Sequence, residues 1–145
     1  MNKTRIITVF IVTLFFSMPV YPDGAETSPE ELIDKQQSIV EKARPHDWET
    51  YAKCADALIS QRISSKEILS WIDRSIEIKE TAYNRTVKGD FLVLKGKLTD
   101  AKKEYIKAIN LAQKTGERDK IAGIQWKILV AMGIENYNNF HDTKE

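Results

Sequence analysis

The sequence predicts an all-α fold, a short stack of about six helices joined by tight turns. Three observations carry this. Apolar residues recur at helical spacing in six successive segments, each opened by a capping residue or closed by a glycine or proline. Small and apolar residues return at a period of about 34 residues. Beyond Ala25, no segment sustains the apolar–polar alternation of a strand. The longest β-branched and aromatic run, Phe91-Leu92-Val93-Leu94, lies inside a helical pattern.

Ser28-Pro29-Glu30-Glu31 has an N-cap serine, a proline at the first helical position and an acid at the third. Leu32, Ile33, Gln37 and Val40 follow at helical spacing, and Pro45 stops the run. Asp47 caps a second helix with Trp48, Tyr51, Ala52, Ala55, Leu58 and Ile59 on one face. Ser64-Ser65-Lys66-Glu67 reads as another capping box, opening a third helix with Ile68, Trp71, Ile72 and Ile76 inward. The fourth runs from near Ala82 to about Lys95, with Gly96 as its stop. Thr99-Asp100 opens the fifth, which carries Ala101, Tyr105, Ala108, Ile109 and Ala112 inward and ends at Gly116. The sixth runs from Arg118 to about Met132 with Ile121, Ile124, Ile128 and Met132 on one stripe, and Gly133 ends it. The helical domain thus spans 28–133. The remainder, 134–145, has no periodicity and is expected to form a flexible tail.

Lys3 and Arg5 precede the apolar run Ile6–Val20, the layout of a secretory signal peptide over residues 1–25. As a helix the run spans about 22 Å, short of the ~30 Å hydrocarbon core. A periplasmic or secreted location follows, with an uncleaved N-terminal membrane anchor as the alternative. Tyr21-Pro22-Asp23-Gly24-Ala25 offers no pair of small residues two apart. No cysteine follows the run, which excludes a lipoprotein anchor.

Removal of the leader leaves 20 basic and 20 acidic residues out of 22 and 21. That balance argues against nucleic acid as a partner, and against membrane affinity once the leader is gone. One cysteine, Cys54, excludes a disulfide scaffold and reads as a buried small hydrophobe. Two histidines, His46 and His141, are too few and too far apart for a His-rich metal site. No phosphate-loop, dinucleotide, nucleophile-elbow, zinc-protease or EF-hand pattern is present. The expectation is no enzyme and no cofactor. Asn84-Arg85-Thr86 is a glycosylation sequon, but it falls within a helix.

The period is the most informative feature. Ala55, Gly89 and Gly123 are 34 apart, and Leu58, Leu92 and Trp126 follow each by three. Val40, Ser75 and Ala108 are spaced 35 and 33, with Gln37, Ile72 and Tyr105 three before them and Ile33, Ile68 and Ala101 four before those. The one-residue irregularity falls in the turn near Gln61 to Ser64. The unit Ala82 to Gln113, with Gly89, Leu92, Gly96, Ala101, Tyr105 and Ala108 in place, resembles the tetratricopeptide repeat (TPR). It departs from that pattern at Arg85, where an aromatic is common, at Lys88, where leucine is common, and at Gln113, where proline is common. The unit from Trp48 to Glu80 lacks a turn glycine and has Ser75 where alanine is usual. The segment around Trp71 to Lys79 also looks like repeats attached to some exported bacterial thioredoxin-like proteins, but the CxxC motif of those proteins is absent, so no redox activity carries over.

The resemblance implies a short α-solenoid of helix hairpins in an exported bacterial TPR protein. Its function would be that of a non-enzymatic scaffold or adaptor for protein–protein interaction. First helices of such repeats line a concave face. Here that face takes Tyr83, Thr86, Val87, Asp90, Val93 and Leu94 from one helix and Lys120, Ile121, Ile124, Lys127 and Ile128 from the last; the eight without Thr86 and the two lysines are the candidate partner contacts. Most are apolar, and Asp90 would repel a carboxylate. The expected partner is an apolar or amphipathic protein segment. Equally open is that these residues contact neighbouring helices, or a second copy in a homo-oligomer. A small carrier of an apolar ligand is the alternative function.

Overall fold

The computed structural model describes residues 27–142. The expected leader, 1–25, lies outside the described residues. Six helices and no strand are found among those described: α1 (Pro29–Glu41), α2 (Trp48–Ser60), α3 (Lys66–Ile78), α4 (Ala82–Leu94), α5 (Leu98–Thr115) and α6 (Arg118–Asp142). The all-α expectation holds. The joints α1/α2, α2/α3, α3/α4, α4/α5 and α5/α6 are packed, and α2 also packs on α4.

The helix starts are set by short polar side chains that satisfy otherwise unpaired backbone N–H groups. The Ser28 hydroxyl accepts from the Glu31 N–H at 3.2 Å while Glu31 Oε2 accepts from the Ser28 N–H. Asp47 Oδ1 accepts from the Thr50 N–H at 3.1 Å. Thr81 and Asn84 exchange the same reciprocal pair at the start of α4, at 3.2 and 2.9 Å. The capping box read at Ser64 and Glu67 does not form. α3 begins one residue later than that box requires, with Ser65 at the N-cap position and no side-chain cap bond.

The reason lies in the preceding turn. Arg62 takes a left-handed φ of 58°, and Gly96, one repeat period further along the chain, takes 71°. The Ile63 N–H donates to the Leu58 carbonyl at 3.0 Å, and the Lys97 N–H donates to the Leu92 carbonyl at 2.8 Å. The two turns are therefore the same turn, and the extra residue falls between Ile63 and Ile68. α5 is another departure: it opens at Leu98 with Lys97 as its cap and no side-chain cap bond, not at Thr99-Asp100.

Two clusters form the interior. The first joins α1 to α4 through Val40, Leu58, Ile68, Ile72, Val87 and Phe91 among others. The second joins α5 and α6 through Leu98, Ala101, Tyr105, Ala108, Ile124 and Ala131, with Leu92, Val93, Ile109 and Ile128 against it. Ala55, Ala101, Ala108 and Ala112 are fully buried, so these crossings have no spare volume. One buried polar node links the α2/α3 hairpin to α4. The Ser75 hydroxyl donates to the Trp48 carbonyl at 2.7 Å and accepts from Asn84 Nδ2 at 3.0 Å, and that amide also donates to the Lys79 carbonyl. Asn84 is fully buried, so its amide is not presented as a glycosylation acceptor.

The largest correction concerns α6. It does not end at Gly133 but runs to Asp142, so the expected tail is helical through that residue. Contacts with the preceding helix hold it: Glu135 accepts from Thr99 Oγ1 at 2.9 Å and from Lys102 Nζ, both on α5. The buried stripe is also shifted. Ala131 is fully buried, while Met132, expected inward, is 43% exposed. Ile124, Ile128, Ala131 and Glu135 step by four, three and four, which keeps one face on α5.

Candidate functional site

Two tyrosines and two aspartates tie α4 to its neighbours α2 and α5. Tyr83 on α4 donates its hydroxyl to Asp56 Oδ2 on α2 at 2.9 Å. Tyr105 on α5 donates to Asp90 Oδ1 on α4 at 2.8 Å. Asp56 and Asp90 stand one repeat period apart. Burial, followed by the neighbouring aspartate, pushes both tyrosine hydroxyls far above the ordinary range. They stay protonated, as donors must.

A cleft of about 270 Å³ lies between α4 and α6. Ala82, Tyr83 and Thr86 line it from α4, and Lys120, Gly123, Ile124 and Lys127 from α6. Its size comes in part from Gly123, where an added Cβ would meet nothing within 4 Å. Thr86 turns its hydroxyl back to the Ala82 carbonyl at 2.7 Å, which leaves its methyl for the cleft. Lys127 Nζ reaches both oxygens of Asp90, at 2.7 and 2.8 Å, and Lys120 pairs with Glu117. Both lysine charges of the cleft are thus matched by carboxylates within the chain. Asp90 is not a bare acid repelling anions, as the sequence suggested; its charge is answered by Lys127 and a tyrosine hydroxyl.

The residues anticipated for this face separate into three groups. Tyr83 and Ile124 line the cleft, and Asp90 braces it through Lys127. Val87 is 1% exposed and belongs to the first core cluster, out of a partner's reach. Val93 and Ile128 pack against the second cluster. Leu94 is half-buried outside the cleft lining, and Ile121 lines a separate depression with Gln113, Arg118, Ala122 and Gln125. The eight residues do not make one continuous apolar stripe. Ala82 and Gly123 were the missed members. Gly123 had a signal, its place one period after Gly89, which marked it as small but not as the wall of an opening.

Around the site, charged residues that break the expected repeat pattern have partners. Arg85 donates to Glu104 on α5 at 2.8 Å and to Glu80. Lys88 reaches Asp73 on α3 at 2.7 Å. Burial pushes the Glu104 carboxyl up, but Lys107 and Arg85 outweigh it and hold the group below its ordinary value. Glu77 pairs with Arg74, and Lys79 sits 5.7 Å from the Trp48 ring centroid.

Among the described residues no helix is long and apolar enough to cross a membrane. No family model matches this chain, and neither does any curated protein or solved structure.

Proposed function

We propose that this chain is a non-enzymatic, TPR-like interaction module of an exported compartment. Its α4/α6 cleft takes an apolar side chain from a partner's amphipathic segment. The observation that carries the reading is the cleft itself, with a methyl, a glycine and an isoleucine in its lining and its two lysines matched by carboxylates. An occupant there gains by removing apolar surface from water and meets no unbalanced charge. The repeat reading is supported by the equivalent turns at Arg62 and Gly96 and by the two tyrosine-bound aspartates one period apart. Export is supported by the basic flank and apolar run of residues 3–20.

At about 270 Å³ the cleft has room for one or two apolar side chains. The test is selection of peptides from a helical display library on the wild-type chain, then titration against Gly123→Leu. That substitution fills the cleft from a position with open space. Selected peptides should carry an apolar anchor and lose at least tenfold in affinity. Equal binding to both chains would remove the cleft from the account.

A further inference from the structure

The outer face of α6 is apolar and uncovered. Trp126 is 66% exposed, Leu129 60%, Val130 43% and Ile134 40%. Between Ala122 and Asn136 the helix has two charged residues, Lys127 and Glu135, and both reach into the body of the protein, to Asp90 and to Lys102. The outer face therefore carries no charge over about four turns. Single exposed apolar side chains are ordinary, but a contiguous uncharged stripe marks a contact surface.

The repeat identifies what is missing there. Trp126 stands one repeat period after Leu92, as Leu92 does after Leu58. Leu58 is buried and Leu92 packs on the second core cluster, each with a following helix at hand. Trp126 holds the same position without a cover. An added Cβ at Gly133, beside this stripe, meets nothing within 4 Å, so the chain's own packing does not call for a glycine.

We propose that a second copy of this chain supplies the cover, with the two α6 helices pairing antiparallel about a two-fold axis between Leu129 and Val130. The stripe is self-complementary in this register. The Trp126 ring lies on Gly133 of the other copy at both ends, and Leu129 meets Val130 across the axis. The protein already uses such a joint, the Tyr105 ring on Gly89 of the antiparallel α4. The other aromatic-on-glycine register, Trp126 on Gly123, sets Leu129 against Lys120 and Val130 against Asp119, and is disfavoured. The exposed side chains of two copies together bury on the order of 1,000 Å², the lower edge of a specific interface, which fits a reversible dimer. The pairing uses Trp126, Leu129, Val130 and Gly133, none of which lines the α4/α6 cleft, and does not rest on that reading.

Position-specific crosslinking of the full chain tests this. Val130→Cys and Ala122→Cys are each treated with a short bismaleimide; native Cys54 is 3% exposed and serves as the background control in the unsubstituted chain. The axis brings the two Val130 positions together and leaves the two Ala122 positions about 22 Å apart along the helices. Val130→Cys should give covalent dimer and Ala122→Cys at least tenfold less. Adding Trp126→Glu or Leu129→Lys to Val130→Cys should lower the yield at least tenfold while circular dichroism stays that of the parent. No dimer from Val130→Cys overturns the proposal, whether the face is then free, covered by another protein or joined head to tail. So does equal dimer from Ala122→Cys, or dimer indifferent to both substitutions in folded chains.

Discussion

The ring of Tyr105 lies directly on Gly89: a Cβ built there would come within 2.9 Å of three of its carbons. The hydroxyl of the same tyrosine reaches Asp90, the next residue. The glycine thus sets how closely α4 and α5 approach. Gly89→Ala should destabilise by about 1–3 kcal/mol despite alanine's better helix propensity, because the ring has backbone beneath it. Gly123→Ala, at the same repeat position on α6, should instead stabilise by up to about 1 kcal/mol, since nothing opposes the added methyl. Denaturant midpoints of the two variants check the contrast, and two shifts of the same sign would refute it.

Arg62 stands in the α2/α3 turn where the α4/α5 turn has Gly96, with the same left-handed backbone. A non-glycine residue there costs about 1 kcal/mol. Arg62→Gly should recover about that much, and chemical denaturation should show a raised midpoint with an unchanged slope.

Ser75→Ala should cost about 1–3 kcal/mol, because the Trp48 carbonyl and one bond of the Asn84 amide lose their partner inside the protein. Ser70→Ala, on the exposed side of the same helix, is the control and should fall within about 0.5 kcal/mol of the parent. Equal effects would show that the node is not what joins the hairpins.

Much of the fold is legible locally and the exceptions share a cause. Ser28, Asp47, Gly96 and Gly116 act through their immediate neighbours, so their roles can be read from the chain. The last turns of α6 depend on Glu135 meeting Thr99 and Lys102 on another helix, which no local pattern records. Ser64 looks like a cap because nothing in the sequence shows that Arg62 adopts a conformation expected of glycine. At the site, the helices were identified correctly but not which side of each side chain faces out. Val87 lies one turn from Tyr83 and points into the core.

The Arg85–Glu104 pair predicts a pH dependence. The folded protein holds Glu104 below its ordinary value of 4.5, so the unfolded chain takes up its proton first as pH falls. The stability this contributes is full above about 4.5 and is lost as pH drops through the lower folded value. Glu104→Gln should flatten that part of the acid limb. Denaturation midpoints between pH 3 and pH 6 measure it; identical limbs in parent and variant would contradict the prediction.

Burial raises the thiol pKa of Cys54, and the side chain is closed to solvent. Thiol-reactive dye should label the native chain slowly and the denatured chain at once. Rapid stoichiometric labelling of the native protein would show that the α1–α4 core is open.

The most direct test of the central claim follows methyl groups by NMR during titration with a peptide selected for binding, at low and at raised salt. Ile124 lines the cleft, and Ile106, 52% exposed on α5, lies apart from it. The account predicts that the Ile124 and Thr86 methyls shift with one common dissociation constant, that Ile106 stays still, and that affinity survives added salt, which screens exposed charge pairs but not apolar burial. Shifts confined to residues outside the cleft, with affinity falling steeply as salt rises, would contradict it and assign binding to a charged outer surface.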